Sequence, residues 1–206
     1  MEHEDDYLKI CNDLKELIEK TGEPLEGNCV YRHLSFDQWD VLLNKRINYQ
    51  KAVKEKKSIC EIGFNAGHSV LAMILENPNA RYVLFDLGTH AYARPCFEYL
   101  KKTFPQTTME IFWGDSRETL ATYHKEHPEA VFDLIHIDGG HQSEVYIVDW
   151  KNSLNVTSRG SLIIFDDTDN TKISTFIDRE IEKGNVIEAP DFLETYGYKH
   201  RILERR

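Results

Sequence analysis

No run of this chain is apolar for anything near the length a bilayer requires, so a membrane-spanning role finds no support. The four cysteines, Cys11, Cys29, Cys60 and Cys96, are scattered without a Cys-x-x-Cys pair, which argues against a zinc site or a disulfide framework. Cys60 lies inside an apolar run and reads as a small buried residue. Basic charge is scarce: 25 Lys and Arg stand against 35 Asp and Glu, a formal net charge of -10, which disfavours a surface built to track nucleic-acid phosphates. The basic runs, Lys54 to Lys57 and Arg201 with Arg205 and Arg206, are short and read as solvated ends. There is no Asp/Asn-Pro-Pro-Tyr motif of the kind that works on exocyclic amines, no internal repeat and no low-complexity linker. The opening residues Met1 to Asp6 lack the basic start and apolar run of a signal peptide. The expectation is a cytoplasmic chain in a reducing compartment, one domain over 1–206, with a helical cap over 1–57 and an α/β core over 58–206.

What is present centres on residues 58–69, Ser-Ile-Cys-Glu-Ile-Gly-Phe-Asn-Ala-Gly-His-Ser. Ile59 and Ile62 give a short buried strand, and the helix expected from Ser69 to Glu76 carries Val70, Leu71, Ile74 and Leu75. Between them lies a glycine turn spaced Glu-x-Gly-x-x-x-Gly, on Glu61, Gly63 and Gly67. Glycines let a ligand press on bare backbone, and a helix start offers free N–H groups. The dinucleotide fingerprint would need glycines at 63, 65 and 68, and Asn65 and His68 occupy the last two places. The cradle therefore suits something slimmer and less anionic than a diphosphate.

Before this turn, Tyr7, Cys11, Leu14 and Ile18 fall at helical spacing. Ser35 to Gln38 reads as a capping box that opens a second helix carrying Trp39, Leu42, Leu43, Ile47 and Val53 and closing on Lys54 to Lys57. These helices read as an appendage that could wall or cover the core. After it, strands are expected at 58–63, 81–86, 108–113, 132–138 and 161–166, alternating with helices at 94–104, 117–126 and 144–155. A helix near 174–183 follows, then one or two strands around Tyr198–Leu203. Alternation of nearly continuous apolar strands with helices implies a parallel sheet covered on both faces, a Rossmann-like α/β fold.

In such a sheet the ligand crevice lies at the carboxyl ends of the strands. Four expected strands end at or just before acidic residues: Asp86, Asp115, Asp138, and Asp166 with Asp167. Any one of these reads as easily as a cap or turn residue; the set on one edge is harder to dismiss. Asp86 can accept bonds from both hydroxyls of a ribose. Asp115 and Ser116 can meet an adenine amino group, or Ser116 can cap the next helix. Asp138, Asp166 and Asp167 make an oxygen-only group suited to Mg²⁺, Mn²⁺ or Ca²⁺. His136, inside an apolar strand, reads as a core histidine, whereas His141, past two glycines, is the candidate for proton transfer.

Taken together, Glu61-x-Gly63-x-x-x-Gly67, Asp86, Gly114-Asp115-Ser116, His136 to His141 and Ile164 to Asp167 resemble class I S-adenosylmethionine-dependent methyltransferases. The resemblance covers about residues 55 to 185 and is nearest to small-molecule O-methyltransferases of the catechol, caffeoyl-CoA and macrocin types. It implies that Glu61, Gly63, Asn65 and Gly67 hold the methionine part of S-adenosylmethionine, Asp86 the ribose, and Asp115 and Ser116 the adenine, with Asp138 nearby. It implies a divalent cation, Mg²⁺ or Mn²⁺, on Asp138, Asp166 and Asp167, with Asp138 and His141 catalytic. Catechol-type members carry a lysine base where this chain has His141. The expected acceptor is a hydroxyl of a small molecule or glycan, a sugar first because the Asp166-Asp167 pair is similar to the macrocin pattern. Tyr31, Arg32, His33 and Trp39 are the pocket candidates of the N-terminal helices, and a homodimer is the expected assembly. The alternatives are a catechol or phenolic O-methyltransferase, a metal-independent methyltransferase, a nicotinamide-dependent oxidoreductase and a non-catalytic interaction module.

Overall fold

A computed structural model of the chain describes residues 3–32, 36–38, 42–193 and 199–206. His33, Ser35, Trp39 and Tyr198, singled out above, lie outside them. The strands are β1 (Ser58–Ile62), β2 (Arg81–Asp86), β3 (Thr108–Trp113), β4 (Phe132–Ile137), β5 (Thr157–Asp166), β6 (Val186–Glu188) and β7 (His200–Arg205). The helices are α1 (Glu4–Thr21), α2 (Leu43–Val53), α3 (His68–Glu76), α4 (Ala93–Thr103), α5 (Ser116–Glu126), α6 (Ser143–Asn155) and α7 (Thr171–Glu182). The seven strands form one sheet in the order β3-β2-β1-β4-β5-β7-β6. Strands β1 to β5 are mutually parallel, and β7 runs antiparallel to both β5 and β6. The architecture is Rossmann-like, as the βα alternation predicts.

Side chains of each strand alternate between two cores. Ile59, Tyr82, Leu84, Leu134 and Ile164 pack with α1, α3 and α4, whereas Cys60, Val83, Phe85, Ile135 and Ile163 face α5, α6 and α7. Strand β5 begins four residues earlier than expected because Thr157 pairs with Phe132 before a register shift at Leu134.

The N-terminal helices are not an appendage. Tyr7, Cys11, Leu14 and Ile18 of α1 are fully buried in the core of the first face. These four apolar residues serve this chain's own core. Helix α2 departs further from its reading. Phe36 has φ +52° and Gln38 forms an isolated bridge with Tyr31, so the described residues of the expected capping box are not helical, and α2 starts at Leu43. Its buried face is mostly polar. Lys45, Arg46, Asn48 and Gln50 are turned inward with Tyr49, while Leu43 and Ile47 are only half-buried. Arg46 explains part of this, because it donates to the Cys29 carbonyl (2.7 Å) and to Glu4 (2.7 Å) and so ties α2 to α1.

The glycines of the β1–α3 turn are also required by the chain's own packing. Gly63 has φ +95°, and a Cβ there would stand 2.0 Å from the Asp138 carbonyl oxygen. At Gly67 (φ +81°) a Cβ would stand 2.7 Å from the Phe64 ring and from Leu100. The backbone pressed against Gly63 is the chain's own, after β4. Gly63→Ala is therefore expected to lose roughly 3 kcal/mol or more of folding stability. Urea unfolding measures it, and a variant as stable as the parent would contradict the packing.

Candidate active site

The strand order reverses between β1 and β4, which places the crevice of an open α/β sheet at their carboxyl ends. The turn after β1 is fastened on two sides. Asn65, at φ +52°, donates its N–H to Asp86 Oδ2 (2.7 Å), and its side-chain amide donates to the carbonyls of Glu26 and Gly27. Asp86 Oδ1 accepts from the Gly88 N–H (2.7 Å). The residues that resemblance assigns to ribose and methionine are therefore adjacent, and the loop before α2 is bound to them.

Glu61 is buried in β1 and turned into the core. Its Oε1 accepts from the Ser69 hydroxyl (2.5 Å) and lies 2.9 Å from His136 Nδ1, while Oε2 has no partner among the described residues. At the third strand, Asp115 itself caps α5, accepting from the Arg117 N–H (3.0 Å), and its carboxylate takes both Nε (2.9 Å) and a terminal guanidinium nitrogen (2.5 Å) of Arg117. Ser116 is the first helical residue, not the cap. Arg117 holds the Asp115 carboxyl below its ordinary range.

The densest chemistry lies at the ends of β4 and β5. His136, Asp138 and Asp166 each offer a ligand atom within 4.8 Å of the others. Asp167 is not a member of that group. It lies at the mouth, where its Oδ2 is 2.6 Å from His141 Nε2. The structure thus brings Asp138 and Asp166 together as expected, puts His136 in the third place, and pairs Asp167 with the expected base. A small cleft lined by Asp138, His141, Tyr146, Asp167 and Ile173 opens there.

Sequence reasoning missed the contribution of α2. Lys45 forms an ion pair with Asp166 Oδ2, with both side chains buried. Tyr49 donates its hydroxyl to the same oxygen (3.0 Å). Asn48 Nδ2 lies 3.0 Å from His200 Nε2. The spacing i, i+3, i+4 puts these three on one face of a helix, which is the only signal the sequence carried.

This packing sets the electrostatics. Burial alone would push the His136 imidazolium down, but the carboxylates of Asp166 and Glu61 outweigh it and hold its pKa up, at about 10. Burial likewise opposes the Lys45 ammonium, and Asp166 and Asp138 outweigh it and raise its pKa. Asp166 stays ionised because Lys45 and His136 overcome its burial. Asp138 is pushed well above the carboxylate range by burial and by the negative charge of Asp166. The bond to Asp167 lifts His141 above the ordinary histidine range.

Behind the turn after β4, Asp149 of α6 is fully buried. The Ser116 hydroxyl lies near enough to favour its carboxylate, yet neither oxygen has a partner at hydrogen-bonding geometry among the described residues. Burial raises its pKa from 3.8 to about 6. Between those values the unfolded chain binds fewer protons at this residue than the folded one, so stability falls as pH rises through that window. Asp149→Asn is expected to raise stability at pH 7.5 by on the order of 1–3 kcal/mol and to flatten the pH 4–6 slope of a thermal-denaturation series. An unchanged slope would place a partner on Asp149.

Comparison with known proteins adds to this geometry. A family model described as "Methyltransferase domain" matches residues 60–168, just over half of the chain. No curated protein sequence matches. Among solved structures, the apo form of CalS11, a TDP-rhamnose 3'-O-methyltransferase of calicheamicin biosynthesis, is 20% identical over 96% of this chain and 93% of its own, with a TM-score of 0.59. An O-methyltransferase from Bacillus cereus in complex with SAH is 16% identical over 96% and 91%, with a TM-score of 0.65. TomG from Streptomyces achromogenes, an O-methyltransferase of tomaymycin synthesis in complex with SAM, is 16% identical over 95% and 88%, with a TM-score of 0.65. At such identities these structures speak for the fold, and the family model speaks for the kind of protein. With its strand order, its β1 turn and the match over residues 60–168, the chain belongs to the methyltransferase-domain family and has the class I fold of S-adenosylmethionine-dependent methyltransferases.

Proposed function

We propose that this chain transfers a methyl group from S-adenosylmethionine to a hydroxyl of a small molecule or glycan, with a sugar as the first candidate. The observation that carries the reading is the meeting of the Asp86-fastened turn and the His141–Asp167 mouth at one edge of a methyltransferase-family sheet. The sugar is supported by CalS11, whose description names a TDP-rhamnose acceptor, and by the Asp166-Asp167 pair. The N-terminal segment 1–57 works as one unit with residues 58–206, since α2 supplies side chains to the acidic group.

Each oxygen of Asp86 accepts one backbone N–H and keeps accepting capacity for ribose hydroxyls. The donor, when bound, supplies an electrophilic methyl on a positively charged sulfur. An alcohol is a poor nucleophile until its proton is removed, and its oxygen must stand in line with the methyl carbon and the sulfur that leaves as a neutral thioether. In His141, the Nε2–H donated to Asp167 leaves Nδ1 as the basic nitrogen, so the hydroxyl proton passes to Nδ1 and Asp167 steadies the imidazolium. The partly exposed place of this pair at the mouth suits an acceptor that enters from solvent.

The divalent cation that the resemblance implies has a mixed fit. His136, Asp138 and Asp166 stand close enough to share an ion. Against this, Asp166 Oδ2 already takes Lys45 and Tyr49, Oδ1 takes the Asp167 N–H (2.8 Å), and a protonated His136 has no lone pair to give. With α2 docked as it is, no step of the reaction is assigned to a metal.

Titration calorimetry with S-adenosylhomocysteine is expected to show one site, weakened about tenfold or more in Asp86→Ala. Labelled methyl donor offered with nucleotide sugars, free sugars and catechols is expected to label a sugar. A folded wild-type chain that gives no heat with S-adenosylhomocysteine would overturn the reading, and labelling of catechols alone would move the acceptor to a phenol.

A further inference from the structure

A lysine in the first turn of a helix ordinarily keeps its ammonium in water. Lys45 does the opposite: its side chain is 9% exposed, its partner Asp166 is 1% exposed, and the pair forms where the carboxyl ends of β4 and β5 gather acidic groups. Burying an ammonium costs several kcal/mol unless a carboxylate and further hydrogen bonds receive it. Asp166 is built to do so. Its Oδ2 also accepts from Tyr49, one turn along the same helix, and its Oδ1 is held by the N–H of Asp167, whose φ of +53° turns the chain back at that point. The Lys45 ammonium lies 6.0 Å from the Tyr49 ring centroid, a second favourable neighbour. Oδ2, the oxygen turned to Lys45, is thus doubly engaged, by the ammonium and by the Tyr49 hydroxyl, and Oδ1 takes one N–H.

A divalent ion on the same carboxylate would stand within a few ångströms of the ammonium, and like charges at that range in a partly dry site repel strongly. The two cations are therefore alternatives. We propose that Lys45 is the resident cation of this site, a positioning residue that holds Asp166 in place and excludes a divalent ion, so that hydroxyl activation in this chain proceeds without a metal. What is being activated rests on the methyltransferase reading; the competition for Asp166 does not. Because Lys45 reaches the site from α2, docking of the N-terminal helices is what completes the charge balance, and Tyr49 and Asn48 fix the helix on that seat.

The test is a titration of the full chain with Mn²⁺, followed by the electron paramagnetic resonance of the free ion, on wild type, Lys45→Met, Lys45→Arg and the double variant Lys45→Met with Asp166→Asn. Wild type and Lys45→Arg are expected to take up no Mn²⁺ up to about 1 mM. Lys45→Met is expected to gain one site at least about a hundredfold tighter, lost again in the double variant. Methyl transfer by the wild type is expected to survive exhaustive chelation, and that by Lys45→Met to fall and to recover in part with Mn²⁺. Stoichiometric uptake by the wild type below 1 mM, or a folded Lys45→Met that takes up none, would overturn the proposal. Should circular dichroism show Lys45→Met unfolded, the wild-type titration and its chelation assay decide alone. Calorimetry with S-adenosylhomocysteine on the same samples keeps the two readings apart: silence there sinks the methyltransferase reading, and the Mn²⁺ titration still judges Lys45.

Discussion

Carboxylates cannot be gathered at the dry end of a sheet unless something answers their charge, and that requirement organises this molecule. Glu61 on β1 and Asp166 on β5 are almost wholly buried on either side of β4, and Asp138 follows β4 in the crevice between them. His136 lies between Glu61 and Asp166, 2.9 Å from one and 3.7 Å from the other, and Lys45 closes the set from above. Removing the cations would leave uncompensated buried charge, a loss larger than what an exposed ion pair contributes. The N-terminal helices are thus held to the sheet by charge as well as by the apolar seam of α1.

The same constraint divides the crevice into two regions with different chemistry. On the β1–β2 side, backbone geometry rules: Gly63 lies against the Asp138 carbonyl, and Asp86 fastens the Asn65 turn, so a ligand there meets a preset surface. On the β4–β5 side, titratable groups rule. Asp166 stays ionised, Asp138 favours its proton, and His141 at the mouth is made more basic by Asp167. A binding surface beside a proton acceptor is what transfer to a hydroxyl needs.

Much of this was legible in the sequence, and the exceptions share a cause. The sheet and its crossovers were readable because strands buried on both faces are nearly continuous apolar runs, and Asp86, Asp138, Asp166 and Asp167 mark where those runs stop. Helix α2 was misread because its inward face is polar. In a stretch as rich in Lys, Arg and Asn as 44–57, Lys45 looks like any solvated lysine, and its carboxylate lies 121 positions away in β5. The glycines were read as close-approach positions for a ligand, and periodicity does not reveal that the backbone after β4 also comes so near Gly63. Asp115 was read as an adenine contact, and nothing in the sequence shows that it also caps α5 and pairs with Arg117. Asp149 escaped notice for the opposite reason: in a helix of mixed polarity a lone aspartate reads as exposed.

The most direct measurement is a crystal structure of the full chain grown with S-adenosylhomocysteine and Mn²⁺, with anomalous data collected at the manganese edge. The expected result is the nucleoside against Asp86 and the Asn65 turn, the Lys45 ammonium on Asp166, and no anomalous peak between Asp138 and Asp166. A manganese peak at that position with Lys45 displaced into solvent, or a nucleoside bound elsewhere on the molecule, would contradict it.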